Sequence, residues 1–535
     1  MIASLWRHRA LRVAAAVCVA LAGSGCAASA AASPPPMSDL IKVRDGVLRG
    51  VLSAGHRTFS GIPFAAPPVG DRRWRAPEPV TPWRGVRNAT KPGNRCAQLG
   101  QGSSTRPATI GSEDCLYLNV TTPATDEHAH LPVMVWIPGG GFVSGAGSDY
   151  DPTRLAVAGH VVVVTINYRL GALGFLHDRA LGDDAWTGNY GLADQQAALR
   201  WVRDNIGAFG GDAHNITAFG QSAGAFSVCA QLASPRARGL FDKAIVQSGP
   251  CGNSFVSEAD AQDRGARVAA RLGCAVAADV GACLRAKPAD DLVGLDDDQA
   301  FSSTGRLRDM PWTPVAGTPA LPVQPLDALR SATARGIPLI QGTTRDEMRP
   351  FVALDNDARG QPVTLARYPA ILRQVFGADA DRALAEYPAG RYPTPGLALA
   401  TVLTDWGAKL GSCAAPPADT AAARHAPVYA YEFAQDDGQR IGTFPMGAAH
   451  GAELPYLFDG TFAGPRQAPP SPALSQTMIS YWTSFARTGN PNSDAAPTWP
   501  RYRPGMPMPS LSTDGARQVD FAMQHHCSFW QTVSR

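Results

Sequence analysis

The chain has 535 residues, 45% of them hydrophobic, enough to bury a large core. Gly 54 and Pro 45 make up about a fifth of it, below the share that marks a low-complexity or disordered chain. Lys+Arg 48 stand against Asp+Glu 45, and the excess lies in Arg7, Arg9 and Arg12, so the remainder is balanced and gives no electrostatic reason to expect nucleic acid or an anionic membrane surface as partner.

Those arginines precede an apolar run over 13–22, and small residues continue to Ala32, the order of a secretory signal and its cleavage zone. The run is too short to span a bilayer as a helix, so no transmembrane segment is expected. Residues 1–30 are read as a signal, 31–39 as a linker and 40–535 as a single domain. Cleavage after Ala28-Ser29-Ala30 would release a secreted protein; Gly23-Ser24-Gly25-Cys26 is a loose lipobox, with Gly23 where leucine is usual, and would place a lipid anchor at Cys26. Either way the protein is expected outside the cytoplasm. Setting aside Cys18 and Cys26, an even number of cysteines remains, which in an exported chain points to disulfides. No C-x-x-C pair occurs, which argues against a structural zinc site.

Further along, 131–137, 161–166, 216–219 and 243–247 read as buried strands, and 194–205 and 222–232 as helices with apolar positions three and four apart. Alternation of the two predicts an α/β fold with a large, mostly parallel sheet covered on both faces. Strands at 337–341 and 428–433 extend that sheet. Between them, 254–330 and 350–425 are rich in Ala, Asp and Arg and read as helical or irregular insertions capping the edge where open α/β folds bind ligands. A late amphipathic helix is expected at 474–486.

Gly220-Gln221-Ser222-Ala223-Gly224 is a G-x-S-x-G pentapeptide, a pattern common enough to arise by chance but set here between a strand and a helix, the context that a nucleophile elbow needs. Small neighbours let the backbone turn sharply and leave the Ser222 hydroxyl exposed at a helix N-terminus, which favours developing negative charge. Gly139-Gly140-Gly141-Phe142 follows the strand ending at Ile137 and can bring backbone N–H groups close to a substrate oxygen; with the Ala223 N–H they would form an oxyanion hole. The base must follow the serine in the chain, which leaves His425, His450, His525 and His526. His450 lies in a small-residue loop after the 428–433 strand and is preferred; His425 looks solvated, and His525 and His526, beside Cys527, suit a packing or surface role. For the acid, Asp346 or Glu347 stands past the end of the 337–341 strand, and spacing alone leaves that choice open.

With these residues in place, the sequence resembles the type-B carboxylesterase/lipase family of the α/β-hydrolase fold over nearly all of 40–530. The likeness rests on Phe59-Ser60-Gly61-Ile62-Pro63-Phe64, Pro67-Pro68-Val69-Gly70, Glu113-Asp114-Cys115-Leu116-Tyr117-Leu118-Asn119-Val120, Asn167-Tyr168-Arg169, the glycine run, the elbow, and His450-Gly451-Ala452-Glu453-Leu454-Pro455-Tyr456. The resemblance implies Ser222 as nucleophile, Glu347 as acid and His450 as base, Gly140, Gly141 and Ala223 as oxyanion donors, and Ser248 as a second-layer serine near the acid. It also implies disulfides Cys96 with Cys115, Cys274 with Cys283 and Cys413 with Cys527, leaving Cys229 and Cys251 either bridged or as two buried thiols. Two departures are Pro138, where histidine or an aromatic residue is frequent, and Met348, where glycine is usual.

The expected chemistry is hydrolysis of short to medium acyl esters through an acyl-enzyme, with no metal or organic cofactor. Residues 97–114 resemble the choline-binding loop of the cholinesterases in position but contain no aromatic residue for stacking on a quaternary ammonium. A lipase, or an amide or thioester hydrolase, would use the same groups. The alternative from another class is a noncatalytic binding protein on this fold, against which stands the presence of all three groups.

Overall fold

The computed structural model describes residues 38–533 apart from 101–107, 124–128, 183, 296, 332–335 and 461–468. The signal, the lipobox and nearly all of the linker therefore lie outside the described residues. Residues Met37–Arg535 cluster as one compact unit.

Its centre is an 11-stranded sheet. In chain order the strands are β1 (Val51–Ser53), β2 (His56–Pro63), β3 (Tyr117–Pro123), β4 (Leu131–Ile137), β5 (Val162–Ile166), β6 (Gly211–Gln221), β7 (Lys243–Gln247), β8 (Leu339–Thr344), β9 (Val428–Phe433), β10 (Met508–Ser512) and β11 (Gly515–Val519). They lie side by side as β1-β2-β3-β5-β4-β6-β7-β8-β9-β10-β11. From β5 to β10 every neighbouring pair is parallel, and the flanking pairs are antiparallel. The parallel centre matches the sequence expectation, with β4, β7 and β9 at the predicted bounds. The antiparallel margins add β1, β2, β3, β10 and β11, which carry no unbroken apolar run: β2 is buried at alternate positions for most of its length.

All seven residues of β4 are buried because both faces of the sheet are covered. Val133, Val135 and Ile137 join a core built with α1 (Tyr190–Asn205), α2 (Ala223–Ala233) and α3 (Pro395–Trp406). Met134 and Trp136 point to the other face, where Met478, Trp482 and Phe485 of α4 (Pro472–Thr488) cover them. Trp136 stacks edge-on against Phe219 with centroids 4.8 Å apart. Both insertions are helical as expected, with helices such as Glu258–Arg271 in the first and Arg367–Phe376 in the second.

Several of the motifs that carry the resemblance have structural duties. Arg169 is buried and holds Asp194 with its Nε (2.8 Å), a terminal nitrogen (2.7 Å) and its own backbone N–H (3.0 Å), which pins the start of α1 to the loop after β5. Arg73 forms an ion pair with Glu113 and donates to the carbonyls of Arg285 (2.9 Å) and Lys287 (2.6 Å), tying the first insertion to the body. Four disulfides are present: the three implied by the resemblance and Cys229–Cys251, which joins α2 to the segment after β7.

Three of the histidines set aside as catalytic candidates find structural places. His425 is half-buried rather than solvated: its ring borders a small cavity with Leu232, Leu329 and Ile337, because the helix before it packs against the body. His525 is buried between two carboxylates, Asp405 at 2.6 Å from Nδ1 and Glu432 at 2.8 Å from Nε2. His526 pairs with Glu386.

Candidate active site

Ser222 sits between the last residue of β6 and the first of α2 with φ 58° and ψ −125°, a conformation that non-glycine residues rarely adopt. The turn is imposed by close approach. A Cβ on Gly224 would stand 1.9 Å from the Ile137 carbonyl oxygen, and one on Gly220 would stand 2.6 Å from the backbone of Gly224. Backbone bonds from Ser222 N–H to Gln247 (2.9 Å) and from Phe226 N–H to Ser222 (2.9 Å) fix the elbow on both sides. Gly224→Ala gains less than about 1 kcal/mol of helix propensity but forces Cβ into backbone, so it is expected to destabilise the fold by about 3 kcal/mol, read as a fall in urea midpoint together with activity.

Beyond β4, Gly140 has φ 113°, and a Cβ there would lie 2.2 Å from the Ser144 carbonyl oxygen. The N–H groups of Gly140 and Gly141 donate to none of the described residues, while the Gly140 carbonyl accepts from Val143 and Ser144. Pro138, the first departure from the family pattern, receives the Tyr168 hydroxyl on its carbonyl (3.0 Å), so this loop remains anchored.

His450 is reached from β9. Its Nδ1 lies 2.6 Å from Glu347 Oε2, and Glu347 is fully buried, its other oxygen accepting the Thr344 N–H at 2.8 Å. The structure thus separates the two acidic candidates by task. Asp346 turns away from the ring and accepts the Ala448 N–H (2.9 Å), while its own N–H donates to the Ala448 carbonyl (3.0 Å); Arg349 balances it at 2.7 Å. Asp346 therefore holds the loop and Glu347 holds the ring. Met348, the second departure, has φ −89°, open to any residue, and its N–H donates to Thr404 Oγ1 (3.0 Å).

The other ring nitrogen, Nε2, lies 3.0 Å from the Gln221 amide nitrogen, which donates to it when the ring carries its proton on Nδ1. Gln221 is the second residue of the elbow, and the sequence pattern gives it no role. Glu453 is the fourth residue of the His450 motif. It is fully buried, accepts from Gln247 Nε2 (3.3 Å), and burial, reinforced by the charge of Glu347, pushes its carboxyl up to about 7. Ser248 stands at the end of β7 with φ 54°, but its buried hydroxyl bonds to none of the described residues, Glu347 included.

Ser222, Gly140, Gly141, Ala223 and His450 all border one cavity of about 980 Å³, roofed by parts of both insertions. Phe142, Phe226, Phe301 and Phe351 also line it. From the 97–114 loop the described lining residues are Gln98, Leu99 and Ile110, and the two apolar ones are aliphatic, as expected of a loop without a choline platform. Among the described residues no group of three or more His, Cys, Asp or Glu side chains is placed to hold a metal ion, and no helix is long and apolar enough to cross a membrane.

Comparison with known proteins gives the family. The model of the carboxylesterase family matches residues 37–530. Para-nitrobenzyl esterase of Bacillus subtilis (strain 168) is 37% identical over 477 residues, covering 86% of this chain and 92% of its own. The cocaine esterase of Homo sapiens is 36% identical over 480 residues, covering 84% and 82%. A solved PNB esterase structure superposes with a TM-score of 0.76 at 35% identity, covering 92% of this chain and 100% of its own. An α/β-hydrolase body and a match that runs nearly end to end place the chain in the carboxylesterase family, as a carboxylic-ester hydrolase.

Proposed function

We propose that the protein is a serine esterase acting through Ser222, His450 and Glu347 on short to medium acyl esters. The observation that carries this reading is that Ser222, on its strained turn, and His450 border one cavity, with the buried Glu347 2.6 Å from the ring behind it. For attack, His450 Nε2 exchanges the Gln221 amide for the Ser222 hydroxyl and takes its proton as Oγ bonds to the ester carbonyl carbon. The N–H groups of Gly140, Gly141 and Ala223 stabilise the resulting oxyanion, and Glu347 steadies the imidazolium without accepting its proton. The imidazolium passes that proton to the departing alcohol, leaving an acyl-serine. Water activated by the same imidazole then releases the acid.

Two relatives are a para-nitrobenzyl esterase and a cocaine esterase. A cavity of about 980 Å³ edged by phenylalanines suits esters bearing an aromatic group on either side of the carbonyl. We read the protein as exported, since four disulfides would not persist in a reducing cytoplasm. Whether a lipid anchor at Cys26 retains it belongs to the same proposal and is read from the mass of the mature N-terminus.

The test is covalent titration. Diethyl p-nitrophenyl phosphate is expected to phosphorylate one serine per chain, found by peptide mass mapping at Ser222, and to abolish turnover of p-nitrophenyl acetate, butyrate and octanoate. Labelling elsewhere, or full turnover after stoichiometric labelling, would overturn the assignment.

A further inference from the structure

Among the described residues, the cavity wall contains one buried cation that the ester chemistry leaves unused. Lys409 lines the cavity yet is only 4% exposed, on the short loop between α3 and the segment that follows it. The loop is firmly held: Gly407 and Gly411 adopt φ 69° and 99°, the Ala408 carbonyl accepts from Leu307 N–H (3.0 Å), and the Lys409 carbonyl accepts from Asn253 Nδ2 (3.1 Å). The ammonium donates to the Ser302 carbonyl at 2.7 Å, beside Ala300 and Phe301, which border the same cavity. That contact uses one of three donors, and among the described residues no carboxylate lies within ion-pair distance of it. The other charged residues of the wall, Arg95, Asp149, Asp437 and Arg440, are less buried. Arg95 is neutralised by Asp149 at 2.7 Å, and Arg440 is exposed.

A buried ammonium with no counter-ion is unfavourable, and burial pulls Lys409 down to about 8 even though Asp355 and Asp309 act at longer range to raise it. The same wall also carries the apolar side chains of Met310, Phe351, Leu354 and Leu410. Such a group recovers part of its lost solvation when a ligand brings an anion to it, and a charge-assisted pairing with a buried ammonium is directional.

We propose that Lys409 selects esters that carry a free carboxylate in the same molecule, its ammonium taking the carboxylate while Ser222 attacks the ester. This rests on the serine-esterase reading of the site. The carboxylate could belong to the acyl part, as in a monoester of a dicarboxylic acid, or to the alcohol part, and the two arms of the test separate these. In the first arm the p-nitrophenyl monoester of adipic acid is compared with p-nitrophenyl hexanoate; in the second, 4-carboxyphenyl butyrate with 4-nitrophenyl butyrate.

With wild type, Lys409→Met and Lys409→Arg at pH 7, the Met variant is expected to lower the charged-to-neutral ratio of kcat/KM at least about 10-fold in one arm, chiefly through KM, with neutral esters changed by less than about threefold and the Arg variant recovering part of the loss. An unchanged ratio in both arms overturns the proposal. So does an equal fall for charged and neutral esters, which would make Lys409 a brace for the 302 segment. A wild type that turns over none of the four esters defeats the underlying esterase reading instead; Lys409 is then judged by calorimetry with monomethyl adipate, where equal affinity of wild type and Lys409→Met overturns its role.

Discussion

Ser222→Ala is expected to lower kcat for p-nitrophenyl butyrate by about 10⁴- to 10⁶-fold while leaving the fold intact, because loss of the nucleophile removes the covalent route and leaves only binding and the oxyanion donors. The elbow does not depend on the hydroxyl. Its backbone is held by the Gln247 carbonyl and the Phe226 N–H, and the unusual φ is forced by Gly220 and Gly224 packing against β4. Alanine keeps the Cβ and therefore the strain, so the urea midpoint should not move. Ser222→Gly supplies the control: it should be as inactive as the alanine variant, yet more stable by about 1 kcal/mol, since relief of about 1–3 kcal/mol of strain outweighs glycine's entropy cost of about 0.5–1. Substantial residual turnover in Ser222→Ala would remove this serine from the mechanism.

His525→Leu should cost about 3–5 kcal/mol of stability without touching the cavity, because it leaves Asp405 and Glu432 buried and facing each other without a cation. Both ring nitrogens lie within hydrogen-bond distance of a carboxylate oxygen, which requires a charged ring if both are to donate. The acids are themselves committed: Tyr387 donates to Asp405 at 2.9 Å and Ser510 to Glu432 at 2.6 Å. Burial alone would lower the imidazole, but Asp405 and Glu432 outweigh it and hold it at about 9, against an ordinary value of 6.5. Because the folded value is the higher one, the stabilisation is fully present below about pH 6.5 and is lost as pH rises through about 9. Urea titrations at pH 6 and pH 9.5 check the sign: the gap between wild type and variant should narrow at the higher pH, and a gap that widens would mean that the ring is neutral.

The parallel centre of the fold was legible because strands buried on both faces carry continuous apolar runs, as in 131–137 and, more briefly, 244–246. The margins were not. Residues 56–63 and 117–123 mix polar with apolar positions, and their strand character depends on pairing with distant segments, which no local window contains. Among site residues, Ser222 and the glycine run could be read from local geometry, and His450 from chain order. Glu347 could not be told from Asp346 by spacing, because both leave the same strand end; only the resemblance preferred one, and the structure separates them through which carboxylate meets the ring and which meets the Ala448 N–H. Gln221 escaped notice because its contact with His450 bridges 229 residues. Lys409 carries no motif, and its interest comes wholly from the walls that close around it.

The Cys413–Cys527 bridge spans 114 positions and encloses β9, the His450 loop and α4, whereas Ser222 and Glu347 lie on the chain before it. A protease that cuts once inside this span therefore cannot release a fragment: the base would stay tethered to the nucleophile and acid by sulfur, and by the packing of β9 on β8. Nicked enzyme should run as one band on a non-reducing gel and as two after thiol treatment, and its surviving activity should become sensitive to reductant where that of the intact chain is not.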